Sequence, residues 1–267
     1  MLLTDDVYAL ITGASKGLGR AFAKELAQRN INLLLVALPG EKLPELCADL
    51  KNEFSIKCDH YETDLTEQNS IKNLINWLLG NYKINILINN AGMGGSSEFE
   101  SVSTEFVEKM LSLNIRALTL ITHELLPEIR SHKNGYILNV ASMASFSPMA
   151  YKTLYSASKV FVLYFTKGLN EELRGTGVSA SVVHPGPMRT NRQVIKRIED
   201  HGVFGRLGVL SPEYVACKSV NMMFKRKTII ILGWFNHLCW LGMKTVPQKI
   251  RLPFIANQVR KTLKRSR

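Results

Sequence analysis

The chain has 267 residues, 46% hydrophobic and 21% charged, with 18 Gly, 9 Pro and 4 Cys, which excludes a disordered tail, a collagen-like repeat and a disulfide scaffold. The length suits one large domain or two small ones around a substantial core. Lys and Arg outnumber Asp and Glu by 34 to 22, a net +12, but eight basic and no acidic residues fall in 244–267, so the first 243 carry only 26 against 22 and do not call for nucleic acid.

Strand-like segments at 8–12, 32–37, 57–63, 86–90, 135–142, 178–183 and 228–232 alternate with helical patterns at 18–29, 42–53, 67–79, 104–126, 151–174 and 211–225. Several strands are continuously apolar, such as INLLLV and NILIN, as strands covered on both faces must be. The spacing predicts an α/β fold: a doubly wound parallel sheet of about seven strands with helices on both faces. Residues 1–243 read as a single domain, followed by a basic, helical extension over 244–267. The N-terminal stretch carries two acids and runs straight into a strand, which is not the pattern of a signal peptide. Cys47, Cys58, Cys217 and Cys239 show no CxxC pair and no metal-ligand spacing; no metal is expected, and the thiols suit a reducing, cytoplasmic setting.

The first strand ends in a glycine-rich turn that opens the first helix, YALITGASKGLGRAFAKELAQ, with Gly13, Gly17 and Gly19 in GxxxGxG spacing. Glycines permit tight turns and close backbone approach, and the free N–H groups of a helix N-terminus attract a pyrophosphate. This context points to a dinucleotide site. Further along, Asn89-Asn90-Ala91-Gly92 closes the fourth strand, Asp64 follows the third, and Pro185, Gly186 and Thr190 form PGxxxT after the sixth.

With Thr12 the first loop reads TGASKGLG, and these motifs together resemble the classical short-chain dehydrogenase/reductase superfamily over residues 7–232. The resemblance implies a Rossmann-type fold and cofactor contacts from Gly13, Ser15, Lys16, Gly17, Leu18 and Gly19. It adds Asp64 and Leu65 near the adenine, Asn90, Ala91 and Gly92 after the fourth strand, and Pro185, Gly186 and Thr190 near the nicotinamide.

Tyr155 and Lys159 form YSASK on a helical segment, where a spacing of four puts both on one face. A phenol with a pKa of about 10 is a poor proton shuttle at neutral pH, and a nearby ammonium, joined by an oxidised nicotinamide, is expected to lower it. The spacing alone is weak: Tyr214 and Lys218 repeat it, but no strand ending in serine precedes them, and they read as helix packing. Tyr155 has Ser142 thirteen residues earlier, at the carboxyl end of a strand. The resemblance assigns Ser142 to the substrate oxygen, Tyr155 to proton transfer, Lys159 to the ribose and to tuning Tyr155, and Asn114 to a water in the proton relay. The alternative for Asn114 is a helix polar group satisfied by backbone. His184, before Pro185, reads as scaffold.

The implied reaction is hydride transfer between nicotinamide and a carbonyl or secondary alcohol. The second strand ends Val36-Ala37-Leu38-Pro39-Gly40, with neither the acid that selects NAD nor the Arg that selects NADP. Lys16 in the loop, with Lys42 close by in sequence, tilts the reading to NADP(H), with NAD(H) the alternative. Met93-Gly94-Gly95, residues 143–149 and an apolar lid over 187–210 are expected to line the substrate pocket, which suits a lipid-like 3-keto substrate or simply a packed lid. Other readings are an NAD-linked hydroxysteroid-type dehydrogenase and a non-catalytic dinucleotide-binding regulator. The resemblance also implies a homodimer or homotetramer pairing through the helices that hold Asn114 and Tyr155.

The apolar run at 229–243, IIILGWFNHLCWLGM, is too short to span a bilayer and reads as a last strand, a turn and a short helix. In the tail, Ile255, Val259 and Leu263 recur every four residues among basic side chains. That pattern suits weak peripheral membrane contact, a helix docked on the body, or a solvated charge run.

Overall fold

The computed structural model describes residues 7–188 and 208–265, with side chains through 260. Among these residues seven strands form one sheet: β1 (Val7–Thr12), β2 (Asn32–Ala37), β3 (Cys58–Glu62), β4 (Lys83–Asn89), β5 (Gly135–Val140), β6 (Val178–His184) and β7 (Ile229–Ile231). All pairs are parallel, in the order β3-β2-β1-β4-β5-β6-β7, so the strand order reverses between β1 and β4. This is the doubly wound, Rossmann-type sheet expected from the alternation of elements. Its carboxyl edge at the reversal is where such sheets bind ligands.

The helices are α1 (Gly17–Ala27), α2 (Leu43–Phe54), α3 (Ser70–Asn81), α4 (Thr104–Leu111), α5 (Leu118–Ser131), α6 (Thr153–Glu172), α7 (Pro212–Phe224), α8 (Trp234–Thr245) and α9 (Gln248–Arg265). Because side chains alternate along a strand, Ala9, Ile11, Leu33 and Leu35 pack on one face with Phe22 and Leu26 of α1, Leu46 of α2 and Val220 of α7. Leu10, Leu34 and Val36 turn to the other face, against Leu74 and Leu78 of α3, Leu125 of α5 and Leu169 of α6. Burying each such side chain contributes about 1.5–3 kcal/mol. Cys47 and Cys58, distant in sequence, meet as buried free thiols with sulfurs 3.0 Å apart.

Three differences from the sequence pattern have a visible cause or consequence. The continuous helix read at 104–126 is interrupted: Ser112–Ala117 widens into a π-turn between α4 and α5. The reason is tertiary, because the Asn114 side chain bonds the backbone of Met93 and the Ser158 hydroxyl. β5 stops at Val140 and not at 142, since Ser142 caps a 3-10 turn at Met143–Phe146 through the Ala144 N–H, 3.2 Å. The step in charge after residue 243 falls inside α8, which runs through Thr245. No helix among the described residues is long and apolar enough to cross a membrane.

A polar ladder threads the core. Asn89 of β4 donates to Thr122 of α5 and to Asn139 of β5, and Asn139 donates to Thr166 of α6, each at 2.9 Å. All four residues are buried. Asn139→Ala leaves the Thr166 acceptor and one Asn89 hydrogen without partners, so chemical denaturation is expected to show a loss of about 1–3 kcal/mol. No change in the unfolding midpoint would mean that the ladder does not hold α6 to the sheet.

Candidate active site

The glycine turn closes against the end of β4. The Asn90 amide donates to the carbonyls of Thr12 and Gly13 at 3.0 and 2.9 Å, and the Thr12 hydroxyl accepts the N–H groups of Asn90 and Ala91, both 3.1 Å. Gly13 has φ +66°, and a Cβ there would lie 2.9 Å from Ala91 Cα. At Gly19 a Cβ would fall 2.0 Å from the Gly13 carbonyl oxygen. Both positions therefore require glycine. Ser15 is half-buried on this turn, Gly17 begins α1, and Leu18 is buried just behind it.

Lys16 is the N-cap of α1 but makes no side-chain cap, so no side chain takes up the helix's first N–H groups. A turn that admits no Cβ, opening onto an uncapped helix N-terminus, fits a dinucleotide pyrophosphate. Lys16 itself is paired with Glu41, Nζ to Oε1 2.8 Å. Glu41 lies just past the end of β2, so this neighbourhood does contain an acid, contrary to the reading from 36–40. The Asp64 carboxylate accepts from the N–H and hydroxyl of Thr66 at 2.9 and 2.8 Å, which holds the turn after β3 with Leu65 buried.

Past Gly92, the chain meets the Tyr155 group. A Cβ on Gly92 would sit 3.2 Å from Asn114 Oδ1 and 3.3 Å from Lys159 Nζ, and one on Gly94 would sit 3.1 Å from the Tyr155 ring. The structure thus brings Ser142, Tyr155, Lys159 and Asn114 together at the carboxyl edge of the sheet. The Ser142 hydroxyl hydrogen-bonds the Tyr155 phenol. Lys159 is buried and donates to the Val140 carbonyl at 3.0 Å, with Nζ 5.9 Å from the Tyr155 ring centre. The control pair has the same contact: Lys218 Nζ lies 5.8 Å from the Tyr214 ring. Burial separates the two, since Tyr214 is exposed.

Burial raises the Tyr155 pKa, opposed by the Ser142 hydrogen bond; the lowering expected from Lys159 does not come from these residues alone. Burial also pulls Lys159 down to about 8. Asn114 donates to Met93 O and to Ser158 and accepts from Met93 N, so its side chain ties the Met93 loop to α6. Ser158 in turn donates to Tyr155 O at 2.8 Å.

His184 has a role that sequence reasoning left as generic scaffold. Its Nδ1 lies 3.0 Å from Ser142 O, an acceptor, so Nδ1 carries the proton and donates. The ring lies 4.4 Å from that of Phe146, and Nε2 is buried without a partner. Burial lowers its pKa to about 4.

Asn236 was also missed. It is buried, donates to Leu232 O and Gly208 O at 2.9 and 3.3 Å, and its Oδ1 stands 2.8 Å from where a Gly186 Cβ would be. A polar residue inside the apolar run at 229–243 was the available signal. Pro185 accepts from Met143 N at 3.0 Å, joining the PG turn to the Ser142 loop. Thr190, and the lid expected over 187–210 apart from its ends, lie outside the described residues.

A cleft of about 440 Å³ reaches Tyr155, walled by Phe99, Val102, Phe106, Met110 and Leu154, with Tyr151 at its edge. Of the segments expected to line the pocket it shares only Gly95. A larger hollow of about 1350 Å³ between α1, α2 and 209–213 is lined by neither Ser142, Tyr155 nor Lys159.

This sheet, glycine turn and Ser-Tyr-Lys cluster define a dinucleotide-binding α/β oxidoreductase scaffold. The short chain dehydrogenase family matches residues 7–200, and the chain belongs to that family. It is 31% identical over 194 residues to a very-long-chain 3-oxoacyl-CoA reductase of Anas platyrhynchos, covering 71% of this chain and 62% of that relative's length. The corresponding protein of Macaca fascicularis is 30% identical over 251 residues, 89% of this chain and 77% of its own. Among solved structures, a short-chain dehydrogenase from Sphingobium yanoikuyae in complex with NADPH superposes with a TM-score of 0.76 at 29% identity, covering 92% of this chain and 95% of that one.

The His184 geometry has a pH signature. The fold holds it neutral down to about 4 while the unfolded chain protonates near 6.5, so the unfolded state binds more protons between those values. Stability is therefore expected to fall as pH drops from 6.5 to 4, by on the order of 3 kcal/mol from this group. His184→Asn should flatten that part of the stability–pH curve; an unchanged slope would show that His184 is not held neutral.

Proposed function

We propose that this chain is an NADP(H)-dependent carbonyl reductase or alcohol dehydrogenase acting on a lipid-like 3-keto substrate or the matching secondary alcohol. The observation that carries the reading is the hydrogen-bonded Ser142–Tyr155 pair beside a buried Lys159, at the carboxyl edge of the sheet. A nicotinamide dinucleotide, when bound, supplies the hydride. The Gly13–Gly19 turn and the α1 N-terminus would hold its pyrophosphate, Asp64 and Leu65 would face the adenine, and Asn90, Ala91, Gly92, Pro185 and Gly186 would complete its contacts. Ser142 polarises the substrate oxygen and Tyr155 transfers the proton at that oxygen. Lys159, joined by an oxidised nicotinamide when that is bound, would supply the positive charge that favours the phenolate. Asn114 positions Lys159 and Tyr155 by tying the Met93 loop to α6.

The apolar walls of the cleft at Tyr155 and the similarity to the two very-long-chain 3-oxoacyl-CoA reductases support the lipid-like substrate. NADP(H) is supported by Lys16 and by the NADPH complex of the Sphingobium structure. Glu41 favours a second reading, NAD(H), because an acid near the end of β2 suits a ribose hydroxyl and opposes a phosphate.

Tyr155→Phe removes only the transferable proton, so it is expected to keep cofactor affinity and lose about 10²–10⁴-fold in turnover of a long-chain 3-keto thioester. Near-normal turnover in that variant would remove Tyr155 from the reaction. A native chain that binds cofactor but turns over no ketone or alcohol would make it a regulator. Cofactor choice is read by fluorescence titration: Lys16→Ala should weaken NADPH several-fold more than NADH, and Glu41→Gln should tighten NADPH. Equal changes for both dinucleotides would leave neither residue reading the 2′-phosphate.

A further inference from the structure

All of the net charge comes from one end of the chain. Residues 214–267 carry twelve Lys and Arg and no Asp or Glu, while residues 1–213 balance 22 against 22. The same end holds the densest exposed apolar surface among the described residues. On α8, Trp234, Leu238 and Leu241 recur at helical spacing on one outward face, 67%, 56% and 51% exposed. On α9, Ile250 and Phe254 are each 66% exposed, and Val246 between the helices is 40% exposed. This is not the stripe that the sequence singled out: Val259 is buried and Ile255 half-buried.

The inward sides of both helices are anchored near the reaction centre. Asn236 is buried against the PG turn, and Trp240 lies 6.4 Å, edge to face, from Phe146 of the turn that Ser142 caps. On α9, Arg260 donates to the Tyr151 hydroxyl at 2.7 Å, and Tyr151 lines the cleft that reaches Tyr155. The outward apolar face is thus held in place by its opposite side.

We propose that α8 and α9 form a docking surface for an anionic lipid bilayer, with Trp234, Leu238, Leu241, Ile250 and Phe254 entering the interfacial layer. Exposed aromatic and aliphatic side chains in an acid-free, basic segment are what such an interface requires. A second copy would set the same basic segment, which carries no acids of its own, against itself, and like charges oppose that pairing. Nucleic acid would engage the charges but leave Leu238, Leu241 and Ile250 in water. The docking surface stands apart from the substrate assignment, since it needs neither cofactor nor ketone. It would bring the mouth of the Tyr155 cleft close to the membrane.

The test is flotation of the full chain with phosphatidylcholine vesicles, with and without about one-third phosphatidylglycerol. Recovery is expected with the anionic vesicles alone, weakened by salt on the order of 0.5 M. The triple variant Trp234→Ser/Leu238→Ser/Phe254→Ser should lose about tenfold or more in bound fraction, with NADPH binding retained as the check on folding. Should that variant misfold, Gln248→Glu/Lys249→Glu, at exposed positions, is expected to weaken binding while keeping the apolar face. No recovery with anionic vesicles, equal recovery with neutral ones, or undiminished binding in a folded variant would overturn the proposal. So would concentration-dependent self-association, seen by light scattering and lost in the triple variant, which would assign the surface to a second copy.

Discussion

Asn90 spends both side-chain hydrogens on the carbonyls of Thr12 and Gly13, while the Thr12 hydroxyl receives two N–H groups from the loop after β4. These bonds join β1 to β4 at the one place where the strand order reverses. They press the glycine turn so close to Ala91 that Gly13 and Gly19 have no room for a Cβ. The loop they hold then runs through Gly92 and Gly94, directly against Asn114, Lys159 and Tyr155. One brace of a few hydrogen bonds therefore sets both the glycine turn and one wall of the Tyr155 cluster. An isolated hydrogen bond contributes only about 1 kcal/mol, but losing a partner here leaves buried groups unsatisfied on both strands at once.

Burial, more than spacing, sets the Tyr155–Lys159 pair apart. Two Tyr–Lys pairs in this chain have the same separation in sequence and nearly the same ring-to-ammonium distance, 5.9 and 5.8 Å. Only Tyr155 and Lys159 sit where desolvation acts on both, raising the phenol and lowering the ammonium to about 8. The opposed shifts set what the charged partners must supply: positive charge near Tyr155 counteracts the cost of forming a phenolate in a dry site. His184 belongs to the same environment, donating to Ser142 O from a position too dry to hold a proton on both nitrogens above about pH 4.

The C-terminal helices extend this logic outward. Their inner residues, Asn236, Trp240 and Arg260, meet the PG turn, the Ser142 turn and the rim of the cleft. The outer residues are apolar and exposed in a segment without acids.

Much of this was legible in the sequence. Alternating apolar runs specified a parallel sheet, because strands covered on both faces must be apolar throughout. The positions of Gly13, Asn90, Ser142, Tyr155 and Lys159 were readable because each depends on local placement: a turn after a strand, a strand end, one face of a helix. Contacts between distant segments were not readable. Nothing local joins Asn114 to Met93, which breaks a helix that periodicity drew as continuous. Nor does anything local set Glu41 beside Lys16, which changes the charge that a 2′-phosphate would meet. The apolar residues of the tail were visible as a pattern, but which of them face water depends on where α9 packs, and packing chose Val259 for the inside. The sequence alone determined the order and type of the elements, through backbone and side-chain periodicity. The tertiary structure alone decided which polar groups are dry and which partners they find, because desolvation arises only when separate elements close over one another.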